Sequence, residues 1–315
     1  MAGTPNRRTL LKGALGVAGV AGLSRFATSA QATVSSVTKY GINVATATNY
    51  NTRIATYGRV NVARVYYTGM VPAAWKVTKE GLSEAKRVQV SFKSDPAAFA
   101  AGTYDAQLIS WLVSIPEGWT VWLTFWHEPN DELKARQFTA DSYRAAWSHL
   151  SLVARSQTPA LSLGTRVLLA PVFMGYQANT ATGWSDAWVP SPAEVDVLCW
   201  DCYGNPGKGG ARGVYPTVNG KVDPCLRVTE RLGFTEWGIS EFNAPKLDYD
   251  PAETERVKWL EGFRSHCQDP ARATAPQLGP PSIMLLWETK TAFPDQGFYT
   301  EATKSGWRNV ITASP

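Results

Sequence analysis

The sequence predicts a single (β/α)8 TIM barrel, an α/β fold, on three observations. Eight short β-branched or aromatic runs recur at long spacing, segments with helical periodicity lie between most of them, and no internal repeat or composition break divides the chain. Strand alternating with helix implies a parallel sheet, and eight such strands close into a barrel. The competitor, a doubly wound open sheet, usually carries a glycine fingerprint after its first strand; Gly41-Ile42-Asn43-Val44 has none.

Taken in order, Met1–Ala32 is set aside first. Asn6-Arg7-Arg8-Thr9-Leu10-Leu11-Lys12 is a twin-arginine pattern, followed by the uncharged stretch Gly13–Leu23 and by Ala30-Gln31-Ala32, a small-residue cleavage site. The apolar run is shorter than the roughly 20 residues that cross a bilayer. It reads as an export signal, with a basic start to an amphipathic helix as the competing reading. Residues 33–315 are then the barrel, expected as a secreted, extracellular monomer that has no further contact with a membrane. The formal charge of the whole chain is +5, and the segment holds Arg7, Arg8, Lys12 and Arg25 with no acid, so +1 remains after its removal. A nearly neutral chain gives no electrostatic case for nucleic-acid binding.

The eight runs are Tyr40–Val44, Val62–Tyr67, Val88–Phe92, Thr120–Trp126, Arg166–Val172, Val195–Asp201, Trp237–Glu241 and Ile283–Trp287. Ala97–Val113 carries Phe99, Leu108, Trp111 and Leu112 at helical positions. Ser142–Arg155 carries the stripe Tyr143, Ala146, Trp147, Leu150 and Val153. Pro251–His266 repeats the pattern through Val257, Leu260 and Phe263, with Glu253 and Glu255 favourable near a helix start. Gly204–Gly213 lacks the Gly-Lys-Ser/Thr ending of a phosphate loop and reads as a loop beside the site. Cys199, Cys202, Cys225 and Cys267 do not form a zinc knuckle, and with three histidines in all no metal or other cofactor is expected. Cys202 with Cys225 is the favoured bridge, against four buried free thiols.

The strand Thr120–Trp126 is uncharged and stops at His127-Glu128-Pro129-Asn130, because proline cannot donate to a ladder. Barrel enzymes do their chemistry at the carboxyl ends of strands. Glu241, 113 positions later in Trp237-Gly-Ile-Ser-Glu-Phe-Asn243, ends a second strand in the same way. Two carboxylates on two strand ends are what glycosidic-bond cleavage requires, one protonated to give its proton to the leaving oxygen and one ionised beneath the developing oxocarbenium. His127 and the aromatic wall of Trp122 and Trp126 would favour the acid form of Glu128. Ser240, Asn243 and Tyr203 would hold Glu241 ionised. The reading is therefore Glu128 as acid/base and Glu241 as nucleophile.

Glutamates ending the fourth and seventh strands resemble the retaining glycoside hydrolases of clan A. His127, where most of that clan has Asn, resembles glycoside hydrolase family 26, as do Phe138–His149 and Val195–Tyr203. The resemblance implies a β-linked polysaccharide or oligosaccharide of the mannan, glucan or xylan class as substrate. It also implies that Tyr203 orients the nucleophile, that Trp287 forms the floor under the sugar, and that Arg64 contributes near the end of the second strand. Pro129-Asn130-Asp131-Glu132 departs from the family's usual Met-Asn-Gly, and Glu288 stands where mannanases tend to have arginine, so mannan specificity is not implied. A retaining pair would stand about 5–5.5 Å apart.

Thirteen tryptophans and twelve tyrosines supply rings on which sugar C–H faces stack. Tyr176, Trp184, Trp188 and Tyr215 fall in expected loops, and for Trp184 and Trp188 stacking competes with ordinary packing. Trp147, Trp200 and Trp259 read as core. The other readings are a catalytically silent sugar-binding barrel, a serine hydrolase, which lacks its Gly-x-Ser-x-Gly elbow, and a metal-dependent hydrolase, disfavoured by so few histidines.

Overall fold

The computed structural model describes residues 37–58, 60–178, 180–206, 214–272, 278–289 and 296–312. The expected export segment and most of the Gly204–Gly213 loop lie outside the described residues. All strand pairs are parallel: β1 (Lys39–Asn43), β2 (Val62–Tyr66), β3 (Arg87–Phe92), β4 (Thr120–Phe125), β5 (Arg166–Leu169), β6 (Val172–Met174), β7 (Leu198–Tyr203), β8 (Trp237–Asn243) and β9 (Ile283–Leu286). Their order is β5-β4-β3-β2-β1-β9-β8-β7-β6. The expected fifth strand is thus two pieces, divided at Ala170-Pro171, where proline offers no N–H. The Ala170 N–H still donates to Leu123 O (2.9 Å) on β4, and the Cys199 N–H donates to Pro171 O (2.9 Å) from β7. The pieces are one barrel strand and close the ring.

The helices are α1 (Ala47–Tyr57), α2 (Pro96–Ala100), α3 (Asp105–Val113), α4 (Asn130–Lys134), α5 (Ala140–Gln157), α6 (Val218–Arg231), α7 (Thr254–Gln268) and α8 (Glu301–Thr312). The single helix expected over Ala97–Val113 is two, parted at Gly102, whose φ of 80° lies in the left-handed region. Thr139 and Ser142 start α5 with a capping box. Glu253 does more than favour a helix start. It is fully buried, receives Arg256 Nη1 at 2.5 Å, and accepts from the Thr300 N–H (2.8 Å) and the Thr303 hydroxyl (2.9 Å), which fastens α7 to α8.

Apolar side chains fill two layers. One lies between the strands and the helices and contains Trp147, Trp200 and Trp259. It also takes Trp184 and Trp188, 6% and 8% exposed against Trp200 and Phe173, so these two rings are core and offer no platform to a sugar. The other fills the barrel's interior with Val62, Trp122, Leu168, Cys199 and Leu285 among others. All four cysteines are free and buried. Cys202 and Cys225, the favoured bridge, bring their sulfurs to 3.8 Å as thiols.

Candidate active site

Above the apolar interior lies a polar storey. Gln89 Nε2 donates to Ser240 Oγ (2.8 Å), Thr124 Oγ1 to Ala170 O (2.8 Å), and Arg64 Nη1 to Ser91 Oγ (2.6 Å). The carboxylates rest on this layer. Two backbone irregularities place them there. Just past β4, Trp126 (φ 48°) and Glu128 (φ 52°) both adopt the left-handed region, which is uncommon for side chains with a Cβ and clusters at functional sites. Their N–H groups are anchored to strands on either side, Trp126 to Phe92 O (2.8 Å) and Glu128 to Val172 O (3.0 Å). On β8 the register with β7 slips by one residue, so Trp200 faces Ile239 but Asp201 faces Glu241. This bulge re-aims Glu241. By strict alternation with Ser240, which points inward at Gln89, it would point outward.

The Tyr66 hydroxyl donates to Glu241 Oε1 and the Tyr203 hydroxyl to Oε2. Arg64 Nη2 lies 3.8 Å from Oε1. His127 Nε2 is 2.5 Å from Asp201 Oδ2 and 3.1 Å from Glu241 Oε1. With carboxylates on both sides, that nitrogen carries hydrogen. Burial alone would raise the pKa of Glu241, but the neighbouring His127 ring, Arg64 and the Tyr203 hydroxyl outweigh it and hold the carboxyl at about 2. Glu128 goes the other way. Burial, then the negative charges of Asp201 and Glu241, push it up to about 8 against the opposing His127. Asp201, fully buried, is raised by burial and by Glu241. Its Oδ1 has no donor among the described residues, and the Glu128 carboxyl stands near its side chain. One atom each of His127, Glu128 and Asp201 lies within 4.8 Å of the others. These three are also the group a metal ion could bridge.

Of the residues expected from the sequence, Glu128, Glu241, His127, Tyr203 and Arg64 converge here, Arg64 fully buried beneath Glu241. Trp287, half-buried, meets Tyr66 edge-on at 5.4 Å. Trp287 and Tyr66 line a cavity of about 640 Å³ that also takes in Asn43, Arg53, Lys79 and Glu288. Glu288 is paired there with Arg53 and accepts from the Tyr57 hydroxyl at 2.8 Å. Asn243 belongs to the fold instead. Fully buried, it donates to Trp287 O (2.7 Å) and Gln296 O (2.9 Å) and accepts from Ala244 N–H and Arg256 Nη2. Trp126 packs on Phe138 with Lys93 over its ring at 5.2 Å. Trp122 is no wall for Glu128, because it lies deep in the barrel's apolar interior.

Tyr66 and Asp201 were missed by the sequence reading. Each lies two residues from a residue the reading did select, Arg64 and Tyr203, and a period of two puts such pairs on one face of a strand.

No family model matches the chain, and no curated protein matches it. Solved structures do. A glucosidase from Croceicoccus marinus aligns with a TM-score of 0.57 and 12% identity over 89% of this chain and 66% of its own. A ruminal GH26 endo-β-1,4-mannanase aligns with a TM-score of 0.52 and 9% identity over 88% and 63%. A β-mannanase from a symbiotic protist of the termite Reticulitermes speratus, complexed with gluco-manno-oligosaccharide, gives 0.52 and 11% over 89% and 88%. The chain thus spans slightly under two thirds of the first two structures, and at these identities the likeness is one of fold: a (β/α)8 barrel.

Proposed function

We propose that the protein is a secreted retaining β-glycoside hydrolase. Its substrate is a β-linked polysaccharide or oligosaccharide of the mannan, glucan or xylan class. The observation that carries this reading is that two glutamates at the carboxyl end of one barrel have opposed surroundings. Tyr66, Tyr203, Arg64 and His127 reach Glu241, while Glu128 stands beside the Asp201 carboxyl. Burial and that carboxyl raise the pKa of Glu128, as the donors, against burial, lower that of Glu241. Neighbouring carboxyls whose environments push their pKa values apart are the means by which acid and nucleophile coexist near neutral pH.

In the first displacement the Glu241 carboxylate bonds to the anomeric carbon while Glu128 gives its proton to the departing oxygen. Tyr66 and Tyr203 hold the nucleophile's two oxygens, leaving little rotational freedom to lose on attack. In the second, Glu128, now ionised, takes a proton from water as that water attacks the glycosyl-enzyme and releases Glu241. Asp201 and His127 act through their contacts with the two glutamates as positioning residues. Trp287 supplies the ring under the sugar, in the cavity that Tyr66, a partner of Glu241, also lines. Export by the twin-arginine pattern Arg7-Arg8 accounts for an extracellular substrate. A screen of polysaccharides for released reducing ends tests the reading. Binding without turnover across the whole panel would favour a silent sugar-binding barrel.

A further inference from the structure

The end of the barrel opposite the carboxylates carries a second concentration of charge. Lys39 opens β1, Arg87 opens β3 and Arg166 opens β5. In register, Arg87, Thr120 and Arg166 stand side by side, two residues below Gln89, Trp122 and Leu168. Gln89 points into the barrel at Ser240, so residues two positions away on the same strands share its inward face. These side chains, with Lys39, Trp122 and Ser282, line a pocket of about 190 Å³. No Asp or Glu among the described residues lines it, and none of the three cations makes an ion pair with a described residue. Trp122, 2% exposed, also lines the pocket, and its buried indole Nε1–H has no acceptor among the described residues. Buried indole donors normally find one. Burial, and Arg87 beside it, hold the Lys39 ammonium below its ordinary value.

We propose that this N-terminal mouth is a binding site for a small tetrahedral oxyanion of the phosphate or sulfate kind. Positive groups that line one pocket with no counter-ion among the described residues repel one another, and an anion seated among them reverses the sign of that interaction. Guanidinium forks match tetrahedral oxyanions bidentately. The Thr120 hydroxyl is a neutral donor beside them. The volume is several times the ~30 Å³ of one water in the liquid, which leaves room for the ion and part of its hydration shell. The site shares no residue with the carboxylate cluster and stands whether or not the chain cleaves glycans.

The test is calorimetric titration of inorganic phosphate, and separately of sulfate, into the whole protein at constant ionic strength in chloride. Melting in phosphate is compared with melting in chloride of equal ionic strength. Saturable one-to-one binding and a higher melting temperature in phosphate are expected. Arg87→Gln and Arg166→Gln should each weaken phosphate about tenfold or more, the loss of one charge-assisted bond. In chloride alone these variants should melt no lower than the wild type, since a like charge has gone; Lys258→Gln, remote and exposed, should change nothing. Wild-type protein indifferent to phosphate at matched ionic strength overturns the proposal without recourse to any variant. So does unchanged phosphate affinity in folded Arg87→Gln and Arg166→Gln.

Discussion

Glu128 and Glu241 share a barrel mouth and two neighbours, His127 and Asp201, yet among the described residues the hydroxyl donors reach only Glu241. Glu241 receives two phenolic hydroxyls and faces Arg64 and His127; Glu128 is pressed against the carboxyl of Asp201. A general acid must be protonated and a nucleophile ionised, so kcat/KM should fall as pH rises through about 8 and hold as pH falls toward about 2 for as long as the fold survives. Asp201→Asn removes a negative charge beside Glu128 and should move the alkaline limb to lower pH in a measured profile. The same shift is a stability statement. A carboxyl raised from 4.5 to about 8 contributes stability that is complete below 4.5 and is lost as pH rises to about 8. The melting temperature of Glu128→Gln should therefore gain on the wild type across that window, and a flat difference would contradict the assignment. Glu128→Ala should cost about 10²–10⁴ in rate on glycosides with poor leaving groups and much less on activated aryl glycosides, whose departure needs little protonation. Rates on the two substrate classes provide the check.

At the scale of elements, the backbone irregularities that aim the site were the least legible part of the sequence. The end of β4 just before Glu128 was readable from a β-branched run stopped by Pro129, whereas β8, expected to end at Glu241, runs on to Asn243. The bulge at Ser240 was not readable, because one extra residue leaves no mark on composition. Pro171 was visible but read as interior to a continuous strand; the barrel tolerates it by letting Cys199 donate to its carbonyl. Gly102 parts α2 from α3 for a reason that is local and conformational. Gly175, just past β6, is constrained by close approach: an added Cβ would come within 2.7 Å of Cys202 Sγ and 2.9 Å of Asp201 O. Gly175→Ala should therefore cost about 1–3 kcal/mol in denaturant unfolding, and it displaces the strand that carries Asp201 and Tyr203. Glu253→Ala strands the buried Arg256 and uncouples α7 from α8, at about 3–5 kcal/mol.

Over the whole molecule, the order of strands and the closure of the ring followed from periodicity alone, since eight parallel strands with helices between them have few ways to bury both faces. The partners of each carboxylate depended on contacts between residues such as Tyr66 and Glu241, 175 positions apart, which a single chain's spacing does not encode. Alternation along each strand recovers part of that information, as it does for Tyr66 from Arg64 and for Asp201 from Tyr203. The barrel carries carboxylates at one end and, at the other, cations with no ion-pair partner among the described residues, separated by the apolar layer of Val62, Trp122 and Leu168. For the carboxylate end, double displacement at Glu241 is the central claim. Loss of nearly all activity in Glu241→Ala, with partial rescue by azide, would support it. The most direct measurement is proton NMR of the first sugar released by the wild type from whichever β-glycan it cleaves. The β-anomer appearing first, ahead of mutarotation, is the predicted result; the α-anomer appearing first would contradict it.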